Sequence, residues 1–223
     1  MTEAEWLACA DPAAMLQYLG AKISDRKLRL FSLACCRRVW GYVRDERQHA
    51  VLDTLERYAD KQATDKQRTA AGKVCVAVRK QHWDTSGKEE EVSIAGELWL
   101  ASTKTMRKMA PRCGIGAAGA FAWAKVSDYN ARNAAERAAQ AGILRDISGN
   151  PFRHVKFAPA WRTDNAVALA KGMYDSREFS AMPILADALQ DAGCDDAEVL
   201  NHCRSEEPHV RGCWVLDLVL SKK

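Results

Sequence analysis

Apolar residues recur along most of this chain at intervals of three and four, and convincing two-residue alternation is scarce, so the pattern predicts helices almost throughout. A first helix runs through EAEWLACA, and Asp11-Pro12 opens a second, because Asp suits the N-cap and Pro the first helical position. That helix ends near Gly20. Ser24 or Asp25 caps a third, carrying RKLRLFSLACCRRVW, and Asp45 begins a fourth through RQHAVLDTLERYADKQ with Leu52, Leu55 and Ala59 on one stripe.

Between Thr64 and Ile147 the sequence is rich in Ala, in AAGKVCVAVRKQHW, IAGELWLASTKTMRKMA and GAAGAFAWAKVSDYNARNAAERAAQAGILRDI. Small residues at helical spacing let helices approach closely, which predicts a bundle of long helices. The polar DTSGKEEEVS at 84–93 reads as the loop between two of them. After Gly149-Asn150-Pro151 the texture changes: FRHVKFAPAWR reads as extended, and helices resume at NAVALAKGMY, at MPILADALQDAG with Gly193 ending it, at DAEVLNHC and at HVRGCWVLDLVL. Periodicity leaves WVLDLVL open between helix and strand. The predicted fold is mainly α, a helical bundle with long Ala-rich helices over residues 1–149 and a smaller C-terminal helical piece over 150–223, the two forming one cooperative unit.

A chain of 223 residues can bury a self-sufficient core. Its acidic, polar opening lacks the features of a secretion signal and no stretch approaches a membrane span, so the expected setting is cytoplasmic, with no membrane partner and the eight cysteines reduced. Net charge is +4 but unevenly placed: residues 1–150 hold 24 Lys and Arg against 18 Asp and Glu, and 151–223 hold 9 against 11. Such a balance permits an acidic partner without requiring one.

The stretch LACCRRVW at 33–40 tests for chemistry. On a helical wheel Leu28, Phe31, Val39 and Tyr42 fall within about 40° of Cys35, which places Cys35 at the centre of an apolar face. Cys36 sits one step round, and Arg37 and Arg38 point to the other side. Adjacent side chains diverge on a helix, so the two thiols cannot share a metal ion, and they read as small buried hydrophobes. Arg37 and Arg38 join Arg26, Lys27, Arg29, Arg44 and Arg47 in a basic neighbourhood. Its first reading is a solvated face paired with acids of the next helix. Its second is a phosphate-binding surface for nucleic acid, built on Arg37, Arg38, Arg44 and Arg47.

GIGAAG at 114–119 matches GxGxxG in letters, but the preceding residues read as helix and turn rather than as the required strand, so no dinucleotide cofactor follows from it. Cysteine and histidine are densest at Cys194, His202, Cys203, His209 and Cys213. His209 and Cys213, four apart, would share a helix face if 208–220 were helical; no CxxC pair accompanies them. The first reading here is core cysteines beside capping or surface histidines, and the metal candidates are His209, Cys213, Cys203 and His202. No GxSxG, HExxH or paired-carboxylate pattern nominates a catalytic residue. Asp217, inside WVLDLVL, would need a partner if buried, with Arg211, Arg145 or Arg153 available. Phe152, Trp161 and Trp214 are expected as large apolar anchors around the turn after residue 149.

Taken together, MTEAEWLACADP, RKLRLFSLACCRRVW, ERYAD, ILRDISGNPFR, PILADALQDAGC and HVRGCWVLDLVL resemble an expanded family of uncharacterised proteins from planctomycete bacteria. The resemblance implies a bacterial setting and a single-unit architecture, and brings no catalytic residue. The function expected from the sequence is therefore a non-enzymatic α-helical interaction or regulatory module with another protein as partner and no cofactor. A nucleic-acid-binding accessory protein is the first alternative and a metal-dependent enzyme the second.

Overall fold

The computed structural model describes residues 1–82, 89–106 and 129–222. They are helical with short connections, and no strand occurs among them. The chain forms two compact units, Met1–Leu144 and Arg145–Lys223.

In the first unit, local chemistry fixes the helix starts. Thr2 closes a capping box with Glu5 at the head of α1 (Glu3–Ala8). Asp11 caps α2 (Pro12–Leu19) by accepting from the Ala13 N–H at 2.8 Å. Ser24 rather than Asp25 caps α3 (Asp25–Arg38), accepting from Lys27 N–H at 3.2 Å, which leaves the Asp25 carboxylate to accept from Met106 N–H at 2.9 Å. Asp45 caps α4 (Glu46–Ala59). Next come α5 (Asp65–His82) and α6 (Glu89–Ala101). Helix α6 begins inside the stretch read as a loop over 84–93: glutamates are good helix formers, and EEEVS joins the periodic run that follows it. Residues 84–88 and the GIGAAG stretch lie outside the described residues.

Helices α3, α4, α5 and α6 pack on one another as a bundle. The apolar stripe of α3 is its centre: Leu28, Phe31, Cys35, Cys36 and Val39 are all fully buried, as the wheel requires, and Leu52, Leu55 and Ala59 of α4 are buried too. Small residues, Ala71 on α5 and Ala95 and Ala101 on α6, occupy buried positions where the helices meet.

Arg29 departs from the solvated face assigned to it. It is 3 % exposed, and its Nε and Nη2 donate to the carbonyls of Ala101 (2.8 Å) and Thr103 (2.7 Å) at the end of α6, while its guanidinium lies 4.8 Å from the Tyr58 ring. The end of a helix leaves carbonyls unsatisfied and carries partial negative charge, so a buried cation is stabilised there. Arg68 repeats the arrangement, donating to the Ser102 carbonyl and lying over the same ring.

Helix α7 (Tyr129–Ser148) leads into the second unit, whose core is Trp161, Ala166, Met173, Tyr174, Leu185, Leu189, Val199, Cys203, Val215 and Leu216. Residues 153–158 are irregular, as read, and end in a single 3-10 turn at Pro159–Trp161. Then come α8 (Asp164–Ser176), α9 (Met182–Asp191), α10 (Ala197–Arg204) and α11 (Trp214–Val219). WVLDLVL is thus helix, but its helix starts only at Trp214: residues 209–213 form a turn. Trp161 is buried at 8 % exposure, whereas Phe152 is 38 % exposed and is not part of the buried core. Among the described residues no helix is long and apolar enough to cross a membrane.

Candidate metal centre

Asp146 lies in the last turn of α7, on a stripe with Ile143, Leu144 and Ile147 that is buried along its length. A carboxylate in that position is costly unless it is well bonded. Its partners come from the far end of the unit. Oδ1 faces His209 Nδ1 at 2.7 Å and His202 Nε2 at 3.1 Å, and Oδ2 accepts the Val210 backbone N–H at 2.9 Å. Burial pushes the Asp146 carboxyl towards a higher pKa, but hydrogen bonds and charge from His202 and His209 outweigh it and hold it below the ordinary value.

Cys213 completes the group. Its Sγ lies 3.2 Å from His202 Nε2 and 4.0 Å from His209 Nδ1, and the side chain is fully buried. Burial and the neighbouring Asp146 carboxylate push the thiol well above its ordinary pKa. The four potential donors, Asp146, His202, His209 and Cys213, all lie within 4.8 Å of one another.

Each donor is placed by its own element. Asp196 caps α10 with two backbone hydrogen bonds, at 2.9 and 3.2 Å, and so fixes the helix that carries His202. The His202 ring stands edge-on to His209, with centroids 4.9 Å apart, and 5.1 Å from Trp214. The turn bearing His209 and Cys213 is closed by the Cys213 N–H on the Val210 carbonyl at 2.9 Å. His209 Nε2 is buried without a hydrogen-bond partner, so Nδ1 makes the polar contacts of that ring.

This geometry bears on two chemistries. In a nucleophile–histidine–carboxylate triad the carboxylate and the nucleophile engage opposite nitrogens of one imidazole. Here His202 turns a single nitrogen to both Asp146 and Cys213, and His209 does the same. A single proton on that nitrogen could be shared between the two neighbours only as a bent three-centre hydrogen bond, whereas a cation at the focus would meet all four donors. A tetrahedral ion with nitrogen and oxygen donors at about 2.0–2.1 Å and sulfur at about 2.3 Å has edges of about 3.3–3.6 Å. The separations of 2.7, 3.1 and 3.2 Å are hydrogen-bond contacts shorter than those edges and that of 4.0 Å is longer, so the donors would shift by a few tenths of an ångström or more to take an ion.

Three of the four sequence candidates are therefore brought together, though not on a shared helix face: a turn presents His209 and Cys213. Cys203 is not one of the converging donors. It is buried in the apolar core of the unit, and its thiol is pushed up to about 12, mainly by burial. Asp146 was missed in the sequence because it stands 56 residues before His202, and its one signal was an acid on the apolar stripe of ILRDI.

No family model, curated protein or solved structure matches this chain.

The basic residues nominated for nucleic acid sit largely in ion pairs. Arg37 bonds Glu56 at 2.6 Å and Asp53 at 3.0 Å, both on α4. Arg38 bonds Glu136 at 3.0 Å, and Arg47 bonds Asp45 at 2.6 Å and Gln81 at 2.7 Å. Arg44 is exposed. In the second unit Asp217 is buried at 3 % exposure, Arg153 reaches Glu198 at 3.2 Å, and the Arg211 guanidinium lies 4.5 Å over the Tyr174 ring.

Proposed function

We propose that this chain is a non-enzymatic helical interaction module of the cytoplasm that binds a divalent transition metal through Asp146, His202, His209 and Cys213. The observation that supports it is the convergence of two imidazole nitrogens, one carboxylate oxygen and one thiol sulfur within 4.8 Å, with Asp146 and Cys213 buried and the two histidines half-buried. Mixed nitrogen and sulfur donors suit zinc-like ions and not magnesium or calcium. Four protein donors fill a tetrahedral shell, whereas a catalytic ion keeps one position for water or substrate, so the centre favours a structural role over an enzymatic one. The described cysteines are all free thiols, in keeping with a reducing compartment.

The test is the metal content of the full chain after zinc loading and exhaustive dialysis, measured by mass spectrometry. One equivalent is expected for the parent protein, with loss in His209→Ala and Cys213→Ala and retention in Cys203→Ala. A parent protein that holds no metal, or a Cys203→Ala variant that loses it equally, would overturn the assignment.

A further inference from the structure

We infer that the ion is Zn2+ in a closed, charge-neutral centre, and that its loading regulates the second unit by deciding whether residues 202–219 are ordered. This rests on the metal reading above and adds the ion and its consequence.

Charge selects the ion. Bound, the centre contains one carboxylate, one thiolate and two neutral imidazoles, so a divalent cation brings it to zero. With Asp146 4 % exposed and Cys213 fully buried, a residual charge would be left almost without water. A monovalent copper ion leaves the set at minus one, and a trivalent ion at plus one. From neutral imidazoles binding is balanced by one proton, since Zn2+ takes the place of the Cys213 thiol hydrogen, which leaves to solvent as H+; an imidazolium would release its ring proton in addition. Zinc has no electronic preference for one geometry, which suits a donor set that starts from contacts as uneven as 2.7 and 4.0 Å.

The origin of the donors gives the regulation. One comes from the end of α7, one from α10, and two from the turn before α11, so the ion would cross-link parts of the chain that are far apart in sequence. Residues 205–213 contain no helix and lie between α10 and α11. In the second unit they reach the end of α7 through His209 and Val210, both bonded to the single carboxylate of Asp146. Without the ion, one oxygen of that carboxylate faces both histidine nitrogens, at 2.7 and 3.1 Å, and the thiol is held only by its contacts with the same two rings. The ion replaces these pairwise contacts with four bonds to one point. Metal supply then sets the population of ordered second unit, in the way any ligand that binds only the folded state does.

The experiment uses the full chain, stripped with a chelator and reloaded with Zn2+, and follows hydrogen exchange by peptide. Peptides from 197–220 are expected to exchange at least tenfold faster in the stripped protein and to recover on reloading, while peptides from α3 and α4 stay the same and serve as the internal reference. Co2+ loading reports the shell, with strong tetrahedral visible absorption and a thiolate charge-transfer band that disappears in Cys213→Ser. Stoichiometric tetrahedral binding with unchanged exchange would overturn the regulatory inference and leave the metal reading standing. A weak octahedral spectrum would overturn the closed centre. No binding of either ion would remove the metal reading and this inference with it.

Discussion

Gly149→Ala tests how tightly the turn after α7 is held to the candidate metal centre. Gly149 has φ +69°, a left-handed conformation that costs an L-residue about 1–2 kcal/mol. A Cβ built there would lie 3.2 Å from Cγ and 3.3 Å from Cδ2 of Trp214, closer than side chains ordinarily approach, and an indole cannot swing aside as a lysine tip can. Forcing it to shift adds about 1–3 kcal/mol of overpacking, for a total of about 2–5 kcal/mol. Gly193→Ala is the control: its φ is +86°, but nothing lies within 4 Å of the new Cβ, so it carries the backbone cost alone. Urea unfolding of both variants, followed at a probe in the second unit, should place Gly149→Ala below Gly193→Ala by about 1–3 kcal/mol. Because Trp214 lies against His202, the Gly149 variant should also bind Zn2+ more weakly while the Gly193 variant binds it normally. Equal stability of the two variants would refute the reasoning, since it would mean that Trp214 moves freely.

Three further expectations concern the first unit. In native protein Cys35 and Cys36 should react with a water-soluble thiol reagent far more slowly than Cys9, and all three alike in denaturant; fast native labelling of Cys35 would show the α3 face to be misassigned. Arg29→Leu strips donors from the carbonyls of Ala101 and Thr103 and should cost about 2–5 kcal/mol in chemical unfolding, whereas a cost under about 0.5 kcal/mol would deny the capping role. Asp45 is held at about 2, below its ordinary 3.8, chiefly by hydrogen bonding from Arg47 against the opposing effect of burial, with His82 adding to the lowering. A depressed carboxylate pKa contributes stability above the unfolded value that is lost as pH falls, so melting temperature should drop more steeply from pH 4 to pH 2 in the parent than in Asp45→Asn, and parallel curves would contradict it.

Helix starts were readable because caps are local: Asp11-Pro12, Ser24 and Asp45 act on backbone two or three residues away. The burial of Cys35 was readable because helical period alone fixes which face it shares. Arg29 was not, because the carbonyls it satisfies lie 72 and 74 positions ahead, and a single helix wheel reports only polarity. At the candidate metal centre, the His209–Cys213 spacing drew notice through a helix that does not exist there. A turn closed on the Val210 carbonyl brings the pair together instead, and Asp146 enters only through tertiary folding. Spacing found the residue types, and the fold supplied their convergence.

One consequence of the fourth donor lying so far upstream concerns what a small change would create. His202, His209 and Cys213 sit within twelve consecutive residues, whereas Asp146 stands alone at the end of α7. Asp146→Ala would leave zinc with three protein donors and a free corner, and a water there acquires a pKa of about 7, making a hydroxide nucleophile at neutral pH. The proposed closed centre would thus be a single substitution from the ligand count of a hydrolytic one, and its carboxylate would serve as a stopper as much as a ligand.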